Sequence, residues 1–581
     1  MQVVIPMSGI GKRFGDAGYT VPKPLIVVDG RPIISYVIDM FPGETNFLFI
    51  CNREHLETTP LRSVLQQYKP GGRIVAIEPH KKGPVYAVSQ CFDQIDDEDE
   101  VIVNYCDFYS DWDYSDFLND THTREAEGCV PSYRGFHPHM LGTDNYAFIK
   151  DDDRWLQAIQ EKQPFTDDRM AEYASNGTYY FRHGRHVKKY FTELMAHDVQ
   201  VNGEFYVSMI YNLMVRDGLA VSVYEVPHML QWGTPKDLEE YQKWSDYFRS
   251  ALENKQVAEA PDTTVLLPMA GHGSRFSAAG YSTPKPLIEV SGKPMVVQAT
   301  DSLPQAGRYV FVALKEHLES SNIEDALGCA YPGSSIVALD HVTEGQACTC
   351  AFGVENASPP VDLEKPLIIG ACDNGMLYDR EKFQTLIDNQ KVDAVAFSFR
   401  NHPASKRNPK AYGWIKTGQS SDSTAHGSSA SAQSSSTTAH GSGASAQSSS
   451  FPPAGAESIV GVSVKVPISD TPGNDHAIVG SFWFRKAQYL LDGLKRLQEK
   501  NVRVNNEFYV DSLIGELAEM GLDCRVFEID YYVCWGTPDD LKVFQYWQEF
   551  FNECPWHPYR IELDPTFGEA EACQKKQIQV K

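Results

Sequence analysis

The sequence predicts an α/β protein of two tandem units, each carrying a mostly parallel, doubly wound sheet. Two observations carry that expectation: the second part of the chain repeats the first, and within each part short apolar runs alternate with helical stretches. Composition sets the scale. Of 581 residues, 42% are hydrophobic and 22% charged, the proportions of a globular protein able to bury large cores.

The repeat is read by sliding the sequence on itself by 262 positions, which lays Met7 to Leu25 over Met269 to Leu287 with twelve of 19 positions identical. The same offset pairs His55-Leu56-Glu57 with His317-Leu318-Glu319, and Gly83 with Gly345. Cys106-Asp107 then matches Cys372-Asp373, Glu204-Phe205-Tyr206-Val207 matches Glu507-Phe508-Tyr509-Val510, and Trp232-Gly233-Thr234-Pro235 matches Trp535-Gly536-Thr537-Pro538. Two units of this length are too few for a solenoid, and each is long enough to fold as a domain. The expected boundaries are 1–255 for the first unit, 256–262 for a linker, 263–555 for the second unit and 556–581 for a tail.

Alternation within a unit starts with Val3-Val4-Ile5 followed by Ile33 to Met40, then Phe47 to Cys51 followed by Leu61 to Tyr68, then Val101-Ile102-Val103 followed by Tyr114 to Leu118. Such βαβ units place ligands at the carboxyl ends of the strands. Residues 419–450 are almost wholly Ser, Ala, Gly, Thr, Gln and His. They cannot bury enough apolar surface to offset their ordering entropy, so a disordered loop between two paired strands is expected there.

Lys plus Arg number 52 against 77 Asp plus Glu, a formal charge of −25. That surface repels a phosphate backbone, so nucleic acid is not an expected partner. No run of 18 apolar residues occurs and no leader pattern precedes the first strand, so neither a membrane partner nor secretion is expected and the cytoplasm is the expected location. The 12 Cys lack a CxxC pair and read as buried or free thiols.

The chemistry-bearing residues begin with a Gly-rich turn after the opening strand, Gly9-Ile10-Gly11-Lys12-Arg13, repeated as Gly271-His272-Gly273-Ser274-Arg275. Glycines there let backbone N–H groups curl around an anion that an Arg can neutralise, although a bare GxGxR also describes a tight turn. The dinucleotide fingerprint fails because Phe14 stands at the third Gly, and the GxxxxGK[ST] spacing of the P-loop is missing. Pro22-Lys23-Pro24-Leu25, and again Pro284-Lys285-Pro286-Leu287, hold a Lys extended between prolines, as suits a fixed phosphate contact.

Turn, PKPL and the following Gly30-Arg31-Pro32 or Gly292-Lys293-Pro294 resemble the sugar-phosphate nucleotidylyltransferases, or nucleotide-sugar pyrophosphorylases. Thr343-Glu344-Gly345-Gln346-Ala347 and the Asn-Asn-Glu-Phe-Tyr-Val run at 505–510 extend the resemblance over nearly all of both halves. It implies a Rossmann-like, GT-A-like nucleotidyltransferase domain in each half. The implied reaction joins an NTP and a sugar 1-phosphate into an NDP-sugar and pyrophosphate, with Mg²⁺ as cofactor. By the same resemblance Arg13 and Arg275 grip the triphosphate, Lys23 and Lys285 lie near the α-phosphate, and Asp107 and Asp373 hold the metal. Gly83, Gly345 and Gln346 fall in the base-reading loop, which the first copy's Lys81-Lys82-Gly83 keeps only at the Gly. Glu161-Lys162 matches the sugar-phosphate motif, whereas the second copy reads Val464-Lys465 and lacks the Glu.

Where many relatives have an Asp as second metal ligand, Gln231 and Cys534 stand. Glu204 and Glu507 are candidate replacements, although a Glu opening an amphipathic helix is also a common surface or cap residue. Thr234 and Thr537 read as helix N-caps with Asp237 and Asp540 at N3. Asp111-Trp112-Asp113 mimics the metal motif of glycosyltransferases, so a glycosyltransferase remains a competing expectation, as does a non-catalytic nucleotide-sugar-binding protein.

Overall fold

The computed structural model describes residues 1–253, 257–418 and 457–568. The Ser-rich segment 419–450 lies outside them. The chain forms two compact units, one of Met1–Phe248 with Tyr546–Pro558 and the other of Arg249–Gln545 with Tyr559–Lys581.

The first unit is built on a ten-stranded sheet. Strand Gln2–Met7, buried at every position, pairs in parallel with Asn46–Asn52 on one side and Val101–Asn104 on the other. From the first strand the chain moves outward through Asn46–Asn52 to Arg73–Ile77 before crossing back to Val101–Asn104. That reversal opens a crevice at the carboxyl ends of Gln2–Met7 and Val101–Asn104. Beyond it Thr178–Phe181 runs antiparallel between Val101–Asn104 and Gly128–Tyr133, and Val221–Glu225 returns to the parallel direction. Trp155–Glu161, Ala147–Asp152 and Tyr173–Ser175 complete the edge in antiparallel pairing.

The second unit repeats this plan. Its nine strands run Ser335–Leu339, Gln305–Leu314, Glu259–Pro268, Leu367–Ile369, His476–Phe484, Ala394–Phe399, Cys524–Glu528, Ser458–Val464 and Gly413–Gly418. The long strand His476–Phe484 stands for two strands of the first unit. The last two form the expected antiparallel pair around the Ser-rich segment, meeting at Gly418 and Ser458.

Two boundaries differ from those read in the sequence. Part of the expected 256–262 linker is already strand, because Glu259 and Ala260 pair with Gln305 and Ala306. Tyr546–Pro558, expected in the second unit and its tail, belongs to the first. Aromatic packing explains this: the Trp556 ring lies 4.7 Å from that of Tyr36 and 4.8 Å from that of Tyr109, and Tyr546 Oη donates to the Met229 carbonyl at 3.2 Å. Among the described residues ten cysteines, Cys348 and Cys350 included, are free thiols, whereas Cys329 is disulfide-bonded, against the expectation of free thiols throughout. No helix among the described residues is long and apolar enough to cross a membrane.

Candidate active site

A cavity of about 620 Å³ sits in the crevice of the first unit. Gly9, Gly11, Arg13, Lys23, Gly83, Asp107, Glu161, Lys162 and Glu204, every candidate named from the first half of the sequence, line it. Gly11 caps the short helix Lys12–Asp16 from the left-handed region (φ 69°, ψ 27°), and Gly273 does the same before Ser274–Ala278 (φ 62°, ψ 31°). An L side chain disfavours that geometry. The turn leaves Arg13 and Arg275 exposed, their guanidinium groups making no hydrogen bond or ion pair to another described residue.

Lys23 Nζ donates to Asp107 Oδ2 at 2.8 Å, and Lys285 makes the same ion pair with Asp373. Burial works against the Lys23 ammonium, but the Asp107 carboxylate outweighs it and holds the pKa above its ordinary value. Lys285 responds likewise to Asp373. Each unit thus keeps one cation and one anion in contact at the mouth of the crevice.

Gly83 and Gly345 have a structural reason to be Gly. Phe205 N–H donates to the Lys82 carbonyl and Val85 N–H to the Phe205 carbonyl, at 2.9 and 3.2 Å; Phe508, Glu344 and Ala347 repeat this clasp at 2.8 and 3.0 Å. A Cβ on Gly83 would lie 2.7 Å from Phe205 N and O, and one on Gly345 2.6 Å from Phe508 N and O. Gln346 opens the helix Gln346–Asn356 that follows.

Glu204 and Glu507 do not open a helix. They close two-residue turns, Val201 bridging Glu204 and Val504 bridging Glu507, with Asn202 and Gly203, or Asn505 and Asn506, at positive φ. The Asn-Gly and Asn-Asn pairs favour that turn over an extension of the helix. Glu204 accepts from the Tyr206 hydroxyl, which in turn accepts from Lys162 Nζ at 2.7 Å. Lys465, Tyr509 and Glu507 repeat the relay at 2.7 and 2.5 Å. Lys162 and Lys465 both stand in the left-handed region, at φ 59° and 61°. That is a sparsely populated conformation for a long side chain, kept twice at a matching position.

Glu161 accepts from the Ser208 hydroxyl. Burial pushes its carboxyl up to about 7, with Ser208 and then Lys162 opposing. A folded-state pKa above the ordinary 4.5 means that the unfolded chain releases this proton first, so the contribution of Glu161 to stability falls as pH rises from about 4.5 to about 7. Thermal unfolding of Glu161→Gln against the parent should therefore show the variant's relative stability growing across that window and flat above it; a constant difference contradicts the assignment.

A divalent cation, which the resemblance implies, would find oxygen donors in the crevice of the first unit. Asp107 Oδ2 and Gln231 Oε1 converge on Gly233, 3.1 and 3.2 Å from where its Cβ would stand. One carboxylate with a neutral oxygen beside it fits Mg²⁺, which takes its remaining ligands from water and substrate phosphate. In the second unit a Cβ on Gly536 would stand 3.2 Å from Asp373 Oδ2 and 3.4 Å from Cys534 Sγ. Burial pushes that thiol far up, so it stays protonated, leaving Asp373 as the hard donor. Among the described residues, none of the three clusters large enough to hold a metal by themselves contains Asp107, Asp373, Glu204 or Glu507.

Thr234 and Thr537 cap their helices, donating to Asp237 at 2.6 Å and to Asp540 at 2.7 Å. The glycosyltransferase-like carboxylates have structural work: Asp113 caps helix Tyr114–Thr123 by accepting from Asp116 N–H at 2.9 Å, and its counterpart Asp379 caps Arg380–Asp388. Neither Asp111 nor Asp113 lines the cavity.

The first unit thus combines a Rossmann-like α/β sheet with a Gly-rich turn, an aimed Lys and an acid at a strand-order reversal. The family model of the MobA-like NTP transferase domain matches residues 3–166, so the first unit carries an NTP transferase domain. No curated protein matches the chain. Solved structures similar to it include a nucleoside-diphosphate-sugar pyrophosphorylase from Vibrio cholerae, 21% identical over 43% of this chain and 100% of that one, with a TM-score of 0.35. A UDP-glucose pyrophosphorylase from Acinetobacter is 16% identical over 44% and 94%, with a TM-score of 0.33. The CTP:phosphocholine cytidylyltransferase LicC from Streptococcus pneumoniae is 19% identical over 42% and 97%, with a TM-score of 0.32.

Proposed function

We propose that the protein is a tandem, Mg²⁺-dependent, cytoplasmic nucleotidylyltransferase that transfers NMP from an NTP to a sugar 1-phosphate, giving an NDP-sugar and pyrophosphate. The observation that carries this reading is the Lys–Asp pair at the foot of the Gly-rich turn, present in both units. In the first unit the cavity also gathers Arg13, Lys162 and Glu161.

Joining two polyanions is limited by repulsion and alignment, so positioned cations carry most of the catalysis. Backbone N–H groups of the Gly9–Gly11 turn and the unpaired Arg13 hold the triphosphate. Lys23 neutralises the α-phosphate, where an oxygen of the sugar phosphate forms its bond to phosphorus as the bond to pyrophosphate breaks. Lys162, steadied by Tyr206, holds the incoming phosphate, and Glu161 accepts from a sugar hydroxyl. Mg²⁺ on Asp107 would screen the phosphate oxygens. Arg275, Lys285, Lys465 and Asp373 take the same parts in the second unit.

Pyrophosphate release from a panel of NTPs and sugar 1-phosphates tests the reading. Each of Arg13→Ala and Arg275→Ala should reduce the kcat/KM of its own unit by about a hundredfold or more. A chain that binds these ligands and releases no pyrophosphate would be a sensor, and the transferase reading would fall.

A further inference from the structure

In the first unit Glu161 stands opposite Ala147 on the neighbouring strand and takes a hydrogen bond from Ser208, beside the Glu204–Tyr206 turn. In the second unit the same three positions are all different. Val464 replaces the Glu and stands opposite Gly413, and Asp511 occupies the place of Ser208, four residues after Glu507 as Ser208 is four after Glu204. The framework around them is unchanged: Lys162 N–H donates to the Tyr146 carbonyl at 2.7 Å, and Lys465 N–H to that of Tyr412 at 2.9 Å.

We infer that Asp511 is the sugar-hydroxyl acceptor of the second unit, its carboxylate supplied from helix Val510–Glu519 instead of from strand Ser458–Val464. This rests on the transferase reading only for the identity of the ligand.

Three observations support the transfer. A Cβ on Gly413 would overlap Asp511 Oδ2, so the loss of Ala at this position is what admits the acid. No side-chain donor among the described residues bonds the Asp511 carboxylate, which has its own backbone N–H, whereas Glu161 has Ser208; a set-in carboxylate short of donors gains when a ligand provides one. Third, the carboxylate senses Lys465, as Glu161 senses Lys162. A first-turn Asp that served only the helix dipole would gain most of that benefit facing water. This one is set in enough that burial pushes its carboxyl up to about 6, while the residue keeps partial exposure. Because the shorter Asp enters from the helix and Glu161 from the strand, the two acids approach a sugar ring from different sides. The units should therefore prefer different hydroxyl configurations.

The test uses the full chain with the first unit silenced by Asp107→Asn. Adding Asp511→Asn should raise KM for hexose 1-phosphates about ten- to a hundredfold while leaving KM for the NTP unchanged. The triple change Gly413→Ala, Val464→Glu, Asp511→Ser rebuilds the first unit's arrangement; it should recover the affinity and adopt the first unit's ranking of hexose 1-phosphates. Calorimetric binding of the same sugar phosphates is measured in parallel. Loss of binding without any turnover would keep the Asp511 assignment and remove the transferase reading. Unchanged hexose 1-phosphate affinity in Asp511→Asn, or no binding to the parent, overturns the assignment.

Discussion

The double substitution Asp107→Asn, Asp373→Asn should abolish pyrophosphate release, lowering turnover by at least a hundredfold, while circular dichroism stays that of the parent. Asn preserves shape and loses the anionic oxygen, so the loss is electrostatic. It also strands Lys23 and Lys285, whose ammonium groups now lean on these acids. A cation set into the crevice without its counter-ion is destabilising, so the unfolding temperature should drop along with activity. Undiminished turnover in this variant would remove both acids from the mechanism.

Gly83→Ala and Gly345→Ala should each cost about 2–5 kcal/mol of stability, combining a left-handed backbone with overpacking against main-chain atoms. The atoms in the way are the backbone N and O of Phe205 and Phe508, which cannot swing aside as a side-chain tip would. Gly9→Ala and Gly271→Ala are the controls. Nothing lies within 4 Å of either added Cβ, so their stability should stay within about 0.5 kcal/mol of the parent. Equal losses at all four positions in urea unfolding would show that the clasp has no special role.

The sequence carried the crevice well because its parts are short-range. A Gly that must turn, a Lys fixed between prolines and an acid after an apolar strand each declare themselves within a few residues, and their recurrence half a chain later removed the ambiguity of any single match. Contacts built across the fold were less legible. The Gly83 clasp depends on Phe205, and the Asp511 exchange is spread over positions 413, 464 and 511; read alone, Val464 looks like a lost function. Glu204 and Glu507 read as helix-opening residues because Phe-Tyr-Val looks like an amphipathic start, whereas the Asn-Gly and Asn-Asn turns before them decide the backbone. The return of Tyr546–Pro558 to the first unit had no local signature, since an aromatic helix looks the same whichever core it joins.

That return has a temporal side. On the ribosome, the residues up to Phe248 emerge early, yet the segment carrying Tyr546 and Trp556 that completes the first unit is made about 300 residues later. At translation speeds of about 5–20 residues per second the wait is on the order of tens of seconds. During it Tyr36, Tyr109 and Tyr241, which pack on Trp556 or bond to it in the finished protein, lack that covering. Maturation of the first unit is thereby tied to synthesis of the second, and a product that stops before Tyr546 retains the Gly-rich turn and its Lys–Asp pair without the segment that closes their domain.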